Sequence, residues 1–438
     1  MFTISSDKTP KDHKPQVVII GGGFGGLSLA KKLSNQPVDV VLIDKHNYHT
    51  FQPLLYQVAT GSLAADSIAF PIRRIFTRQD NFSFVLAYVK KIDPEKNSVQ
   101  TSVGEIPYDY LVIATGSNTN FFGNKEIERF AMPMKNVPEA LNLRSVVLQN
   151  LEKAVVTKDP VEKAALMTFV VVGGGATGVE LSGALAEMRQ LVLMKDYHGL
   201  SRQDMKVYLV EGKTKLLAAM TEKSSKNAKD FLTEMGVIIH TGVHVKSYDG
   251  NDLTIDDGQV INTRNVFWAA GVMGEFPEGM AEAKITRGTR IETDNINRVI
   301  GYQNIFAIGD VAATVSDEYP YGHPGVAPAA IQQGNALAKN ILNLINGMPT
   351  EPFKYFDKGT LATVGRNKAI VDLGKFHFKG FFAWLLWGFV HIMSLAGFSS
   401  KTTVFLNWAI NYFTLNSDNR LIVRKFDPET GAVESSEK

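Results

Sequence analysis

The sequence predicts an α/β fold with two Rossmann-like domains and a C-terminal helical segment rich in aromatic residues. Two glycine clusters, at 21–26 and 173–178, carry the first part of this prediction. Each follows an apolar run rich in β-branched residues and precedes a segment with apolar positions at helical spacing, which is the pattern of a strand, a turn and a helix. The C-terminal segment is indicated by residues 380–400, which contain no Asp, Glu, Lys or Arg.

The first cluster has the spacing of a dinucleotide-binding turn. Gly21, Gly23 and Gly26 fit G-x-G-x-x-G, in which the glycines allow a tight turn, close approach of a pyrophosphate and close packing of the helix. Asp44 ends the next predicted strand, roughly 20 residues further on, where a carboxylate that binds a ribose hydroxyl is expected.

The second cluster repeats this arrangement with Gly173, Gly175 and Gly178, and Glu211 ends the following strand. The longer gap before Glu211 predicts an extended helix or an inserted turn at 190–204. One such motif can be a turn without a ligand, but two, each with an acidic strand end, favour two dinucleotide sites. A carboxylate binds the free 2′-hydroxyl of NAD and repels a 2′-phosphate, so the second site favours NADH. Two sites in one chain suggest a flavoprotein that takes hydride from a nicotinamide.

Composition narrows the class of flavoprotein. The 438 residues contain no cysteine and carry a net charge of +2. Disulfides, Cys-ligated iron-sulfur clusters and redox-active thiol pairs are therefore excluded, and electrons must leave the flavin directly for an outside acceptor. FAD is expected to bind non-covalently, since no cysteine can form a thioether. The charge gives no basis for nucleic-acid binding, and no metal site is expected.

The order of the motifs predicts a discontinuous first domain. The expected divisions are a disordered lead at 1–14, an FAD-binding domain at 15–120 and 290–345, an NADH-binding domain at 121–289, a membrane-anchoring region at 346–426 and a disordered tail at 427–438.

Several other residues are candidates for ligand contacts. Thr115 and Gly116 end a predicted return strand, and Asp310 follows another strand, where it could hold the ribityl or phosphate side of a flavin nucleotide. A Gly-Asp pair is also common in ordinary turns. Gln332 and Gln333 begin a predicted helix; their neutral amides can bond a carbonyl oxygen, although exposed helix glutamines are the ordinary case.

Residues 380–400 and 402–413 are apolar and aromatic, and lysines and arginines flank them. Aromatic anchors with flanking cations favour helices that lie in the plane of a membrane surface and contact anionic lipid. A buried dimer or core helix and a membrane-spanning helix are the alternatives.

With these features in place, the chain resembles the type II NADH:quinone oxidoreductases over about residues 16–424. The most specific segments are 47–61, 171–187, 307–310 and 407–414. The resemblance implies FAD in the first Rossmann unit, NADH in the second and a quinone that enters from the membrane side. It also implies a respiratory enzyme that pumps no protons and forms a homodimer on the cytoplasmic face of the bacterial inner membrane.

The resemblance assigns Glu180 a functional role near the nicotinamide and the flavin. The alternative is helix stabilisation, because Glu180 is predicted to lie in the first turn of its helix. Quinone binding is assigned to Gln332, Gln333 and Lys379. This chain has Pro328 where the family often has glutamine, so the predicted quinone site depends on Gln332.

Two other functions are compatible with the motifs. One is a soluble FAD-dependent NADH oxidase that uses oxygen, and the other is a flavin- and NADH-binding signalling or assembly protein with little turnover. The aromatic C-terminal segment argues against the first.

Overall fold

A computed structural model describes residues 14–414 and 419–434. The described chain divides into two compact units. The first contains the chain up to His49, Phe70–Asn118 and Val272–Asp357, and the second contains Thr50–Ala69, Thr119–Gly271 and the chain from Lys358 onward. Apart from Lys14, the predicted disordered lead lies outside the described residues, as does 435–438 of the predicted tail.

The first unit is built on a five-stranded parallel sheet. In spatial order its strands are Ile305–Ala307, Tyr110–Ile113, Gln16–Ile20, Asp39–Asp44 and Phe82–Leu86. A three-stranded antiparallel sheet follows, formed by Val89–Asp93, Ser98–Thr101 and Gly104–Pro107, and a smaller sheet contains Ile285–Thr286, Arg290–Thr293 and Ala312–Thr314. The helices of this unit are Phe24–Lys32, Ile72–Ile75 and Ala327–Ile345.

Both faces of the parallel sheet are buried, which explains the continuous apolar runs of its strands. Val17 and Ile19 belong to a core cluster shared with the helices that begin at Phe24 and Ala327. Val18 and Ile20 belong to a second cluster shared with the antiparallel strands.

The second unit repeats this plan. Its five parallel strands are, in spatial order, Met132–Pro133, Asn265–Trp268, Thr168–Val172, Lys206–Glu211 and Ile238–Thr241. Two antiparallel sheets accompany it, formed by Val245–Tyr248, Asp252–Ile255 and Val260–Asn262, and by Thr360–Gly365, Lys368–Leu373 and Phe376–Lys379. Its helices are Leu55–Ala59, Lys125–Phe130, Val137–Val156, Pro160–Leu166, Ala176–Leu191, Leu193–Asp196, Glu222–Glu234, Phe381–Ser394 and Phe398–Thr414.

Local sequence explains the start of the helix Val137–Val156. The Asn136 side chain accepts the N–H of Glu139 at 2.9 Å, and the Glu139 carboxylate accepts the N–H of Lys135 at 2.6 Å. The Glu139 N–H is one of the donors that a helix start leaves without partners, and the second bond fixes the residue before the cap. The helix Ala176–Leu191 followed by Leu193–Asp196 also confirms the extension predicted at 190–204.

The apolar C-terminal stretch forms two helices, and the chain bends between them at 395–397, where Gly397 has a φ of +79°. Helix Phe381–Ser394 buries Ala383 and Trp387 and leaves Phe382 and Phe389 77% and 64% exposed. Among the described helices, none has both the length and the apolar character to cross a membrane.

The observed units correct the predicted divisions at three places. Residues 272–289 lie with the first unit, where the Glu278 carbonyl accepts the N–H of Ile92 at 2.8 Å. Residues 50–69 lie with the second unit. The predicted membrane-anchoring region, 346–426, is divided: its residues up to 357 belong to the first unit and those from 358 belong to the second. The predicted disordered tail includes the strand Val433–Glu434, which pairs with Lys425–Phe426.

Candidate functional site

The first glycine turn has a separate physical requirement at each glycine. Gly21 has a φ of +109°, and a Cβ at Gly26 would overlap the carbonyl oxygen of Gly21. Around Gly23 the only described neighbour of a built Cβ is the Ala114 oxygen, 4.0 Å away. The turn is therefore tight at its start, packed at its end and open in the middle, as a pyrophosphate requires.

Asp44 holds this turn and faces a cavity. Its carboxylate accepts the N–H groups of Gly22 at 2.5 Å and of His46 at 2.7 Å. Since a carboxylate has about four acceptor positions, Asp44 keeps capacity for a ribose hydroxyl. Asp44, Gly21 and Thr115 line a cavity of about 290 Å³ in the first unit. The glycine turn, the carboxylate and the cavity fit the adenosine end of FAD.

The other predicted flavin contacts lie in the same unit. The Ser117 hydroxyl donates to Asp310 at 2.7 Å, and the Thr115 hydroxyl donates to the Glu275 carbonyl. Gly116 has a φ of +75°, and no described atom lies within 4 Å of a Cβ built there. Asp310 thus keeps one carboxylate oxygen for a ligand, and Gly116 leaves space beside the turn.

The predicted quinone-binding residues already have protein partners. Both ends of the Gln332 amide bond the Phe356 backbone at 2.9 Å. The oxygen of Gln333 accepts the Gly309 N–H at 2.7 Å, and that side chain is only 1% exposed. Lys379 donates to the Asn227 side chain at 2.8 Å. Quinone binding by these residues stays a prediction.

The second glycine turn reproduces the geometry of the first. Gly173 has a φ of +111°, a Cβ at Gly178 would overlap the Gly173 oxygen, and no described atom lies within 4 Å of a Cβ built at Gly175. The Glu211 carboxylate accepts the N–H groups of Gly174 and Lys213. These residues fit the pyrophosphate and ribose of NADH, with Glu211 in the place of Asp44.

A cavity of about 170 Å³ within the second unit brings distant parts of the chain together. Its wall is formed by one face of the helix Ala176–Leu191, the end of the strand Thr360–Gly365, the segment 56–62 and both C-terminal helices. The lining residues are Tyr56, Gln57, Thr60, Ser62, Glu180, Ala184, Glu187, Met188, Leu191, Val192, Thr363, Val364, Gly365, Arg366, Trp384, Trp387, Trp408, Asn411, Tyr412 and Arg420. Of the segment 47–61, Tyr56, Gln57 and Thr60 contribute to this wall.

Glu180 is a buried member of this wall, with 8% of its surface exposed. The helix begins at Ala176, so Glu180 lies in its second turn, and the first turn contains no acidic residue. The prediction of a first-turn position was therefore wrong, and helix-dipole stabilisation does not explain this residue. Its carboxylate accepts the Thr363 N–H at 3.4 Å, and burial raises its pKa to about 8. Glu180 can therefore hold a proton at neutral pH.

Glu187 lies seven residues further along the same helix face. Its carboxylate accepts the Arg366 N–H, and burial raises its pKa, while that hydrogen bond and the charges of Arg366 and Lys368 oppose the rise. The Arg366 guanidinium stacks 4.0 Å from the Tyr412 ring centroid and donates to the Tyr412 carbonyl at 2.5 Å. Arg366 thus joins the carboxylate helix to the last helix.

A series of hydrogen bonds links three other residues of the cavity wall. The Trp408 indole N–H donates to Gln57 at 2.8 Å, and Gln57 donates to the Tyr56 hydroxyl at 2.8 Å. Burial raises the pKa of Tyr56 well above its usual value, and the nearby carboxylates Glu180 and Glu187 raise it further. Tyr56 therefore stays protonated and can donate a hydrogen bond toward the cavity.

Four residues of the cavity wall were not predicted as site residues from the sequence: Glu187, Tyr56, Arg366 and Trp408. A local signal existed only for Glu187, because carboxylates seven residues apart lie on one face of a helix. Both C-terminal helices were expected at a membrane surface, but the sequence did not indicate that they also enclose a cavity.

The two dinucleotide-binding turns and the buried carboxylate are those of a flavoprotein oxidoreductase. Comparisons with known proteins identify the family. A family model described as pyridine nucleotide-disulphide oxidoreductase matches residues 15–334, and the NDH2 C-terminal domain matches residues 358–415. The chain is 37% identical over 420 residues to a type II NADH:quinone oxidoreductase of Mycobacterium tuberculosis, covering 92% of this chain and 89% of that protein. It is 30% identical to the Staphylococcus aureus type II enzyme, covering 82% of this chain and 90% of that protein.

The fold agrees with these relatives. A structure of NDH2 from Plasmodium falciparum in complex with NADH has a TM-score of 0.86 at 22% identity and covers 94% of this chain and 100% of that chain. The chain belongs to the type II NADH:quinone oxidoreductases, a branch of the pyridine nucleotide-disulphide oxidoreductases. The predicted fold class, family and enzyme class, an FAD-dependent NADH dehydrogenase, are thereby confirmed.

Proposed function

We propose that this chain oxidises NADH and reduces a membrane quinone, with FAD as the redox group between them. The observation that supports this proposal best is the cavity of the second unit, which combines aromatic walls from the C-terminal helices with a buried carboxyl group whose pKa is raised to about 8. Quinone reduction consumes protons, and a large apolar ring requires such walls.

The protein's own residues position the reactants and manage protons. FAD supplies the hydride acceptor and passes two electrons onward when bound. Gly23 and Asp44 would hold its pyrophosphate and ribose, and Gly175 and Glu211 would do the same for NADH. Glu180 would supply a proton to the quinone, because it is buried and holds its proton near neutral pH.

The exposed faces of the C-terminal helices support docking to lipid. Phe382, Phe389 and Phe413 are 77%, 64% and 83% exposed, and aromatic side chains favour the boundary of a bilayer. The same helices line the cavity with Trp384 and Trp408. We infer a peripheral enzyme on the cytoplasmic face of the membrane, working as a homodimer.

The test compares NADH oxidation by quinone dissolved in liposomes with oxidation by a short-chain, water-soluble quinone. A variant with Phe382→Ser, Phe389→Ser and Phe413→Ser is the perturbation, and Tyr321→Ser, which changes a residue 75% exposed in the first unit, is the matched control. We expect the triple variant to leave liposomes and lose the lipid-dissolved activity while it keeps the soluble one.

Each other outcome contradicts a part of the proposal. NADH oxidation that needs oxygen and ignores quinone would identify a soluble oxidase. Negligible turnover with either acceptor would favour a signalling or assembly role. Full activity of the triple variant on lipid-dissolved quinone would show that these three phenylalanines do not form a docking surface.

A further inference from the structure

Two carboxylates face one cavity, but quinone reduction as proposed above uses only one of them. Glu180 and Glu187 both line the 170 Å³ cavity, and seven residues of helix separate them by about 10 Å. Glu180 is buried, whereas Glu187 is partly exposed. The pair therefore extends from the protein interior toward solvent.

The helix Ala176–Leu191 packs against the hairpin formed by the strands Thr360–Gly365 and Lys368–Leu373, and this packing places each carboxylate beside a backbone N–H of the hairpin. Gly183 lies between them, and a Cβ there would overlap the carbonyl oxygen of Val364. This close approach brings the Thr363 N–H to Glu180 and the Arg366 N–H to Glu187. Each carboxylate thus has one fixed backbone donor and further acceptor positions toward the cavity.

The space between the carboxylates can carry a proton. A cavity of about 170 Å³ is large enough to hold several water molecules. The Tyr56 hydroxyl is close enough to both carboxylates to interact electrostatically with each, and it accepts a hydrogen bond from Gln57. Its own hydrogen therefore stays available to cavity water or to a carboxylate.

We propose that Glu187 passes protons from solvent to Glu180 across this cavity, so that Glu180 regains its proton after each quinone is reduced. This proposal rests on the proposed function. Each turnover converts NADH, one proton and the quinone into NAD⁺ and the quinol. The hydride supplies two electrons and one hydrogen nucleus, and the second proton comes from water. Glu180 gives its proton to a quinone oxygen, Glu187 gives its proton to Glu180, and solvent reprotonates Glu187.

The charges that face Glu187 permit this role. Arg366 and Lys368 approach from the hairpin and favour the ionised carboxylate, whereas burial favours the protonated form. Tyr56 faces it from the helix Leu55–Ala59, and Glu180 lies on its own helix. The other titratable side chains that line the described cavity are Tyr412 and Arg420. These opposing influences let Glu187 bind and release a proton.

The experiment compares Glu187→Gln with wild type, using Glu222→Gln as the matched control because Glu222 is 84% exposed on another helix. We expect Glu187→Gln to lower quinone turnover by about tenfold or more at alkaline pH, and by less at acid pH, a smaller loss than the roughly 10²- to 10⁴-fold of a direct acid or base. Small weak acids should restore the rate. Flavin bleaching by NADH without an acceptor should stay normal.

A second readout follows the protons themselves. In weakly buffered solution with an indicator dye, proton uptake should lag behind quinone reduction in Glu187→Gln and match it in wild type and in Glu222→Gln. An unchanged pH profile, no response to weak acids and no lag would overturn the relay. Failure of wild-type protein to reduce quinone would instead overturn the proposed function.

If Glu187→Gln does not retain flavin, Glu187→Asp decides the question, because it keeps the carboxylate and shortens the chain by one methylene. The relay predicts slower proton uptake, relieved by weak acids. Normal proton uptake in Glu187→Asp, or slow uptake that weak acids do not relieve, would assign Glu187 only the structural task of holding the Arg366 N–H.

Discussion

Replacing Glu180 by glutamine should make the protein more stable at alkaline pH. Glutamine has nearly the same shape and has no charge at any pH. The wild-type carboxyl has its pKa raised by burial from 4.5 to about 8, so the folded protein must keep it protonated or bury a charge. The substitution removes this conflict and leaves a neutral amide oxygen that can still accept the Thr363 N–H.

The sign of the effect follows from where each state binds the proton. Below a pH of about 4.5 Glu180 is protonated in both states, and wild type and variant should have similar stability. Between about 4.5 and about 8 the unfolded chain is ionised while the folded chain keeps its proton, so wild-type stability falls by about 1.4 kcal/mol per pH unit from this group. Above pH 8 the full difference, at most about 5 kcal/mol, separates the two proteins.

Tryptophan fluorescence suits the assay, since all four tryptophans lie in the second unit and three of them line the cavity. Urea unfolding of the flavin-loaded protein, followed between pH of about 5 and about 9, gives the free energy of unfolding for each variant. Glu222→Gln removes an exposed carboxylate that pairs with Lys215, so its curve should run parallel to that of wild type between these pH values. Parallel curves for wild type and Glu180→Gln would refute the claim that burial controls this carboxyl.

Three further changes test separate parts of the structure. Glu211→Gln should reduce the preference for NADH over NADPH, because it removes both an acceptor for the ribose hydroxyl and a charge that repels a 2′-phosphate; an unchanged ratio of the two kcat/KM values would contradict this. Gly183→Ala should destabilise the second unit by about 1–3 kcal/mol or more, since the added Cβ overlaps the Val364 carbonyl; thermal unfolding measures this. Trp408→Phe should cost about 1 kcal/mol through its lost bond to Gln57, and an unchanged unfolding midpoint would show that the bond contributes nothing.

The nucleotide turns are predictable from sequence because their determinants are local. Each turn needs its strand, its three glycines and an acid at the end of the next strand, all within a short span. Asp44 and Glu211 meet the expected position because parallel strands align the second strand end with the turn, as the N–H groups of Gly22 and Gly174 show. A local pattern thus determines a local geometry.

The cavity is formed by tertiary packing, and its lining residues lie too far apart in the sequence to form a recognisable pattern. The Trp408 indole reaches Gln57 across 351 positions of chain. The burial of Glu180 was also hidden, because the helix begins at Ala176, between the second and third glycines. That start places Glu180 one turn deeper than the glycine pattern suggests and turns it toward Thr363.

The same two C-terminal helices enclose the cavity and present the exposed aromatic face. Trp387 is 2% exposed and lines the cavity, whereas Phe382 and Phe389, on the same helix, are 77% and 64% exposed. In the proposed function, one face of this helix docks to lipid and the other lines the cavity, so both surfaces belong to the same helix. A quinone that leaves the bilayer beside these helices would meet tryptophan rings at once and the carboxylates behind them. In the proposed function, docking, entry of the quinone and its access to Glu180 all depend on this one pair of helices, and substitutions on the exposed face should impair quinone entry before they affect the chemistry.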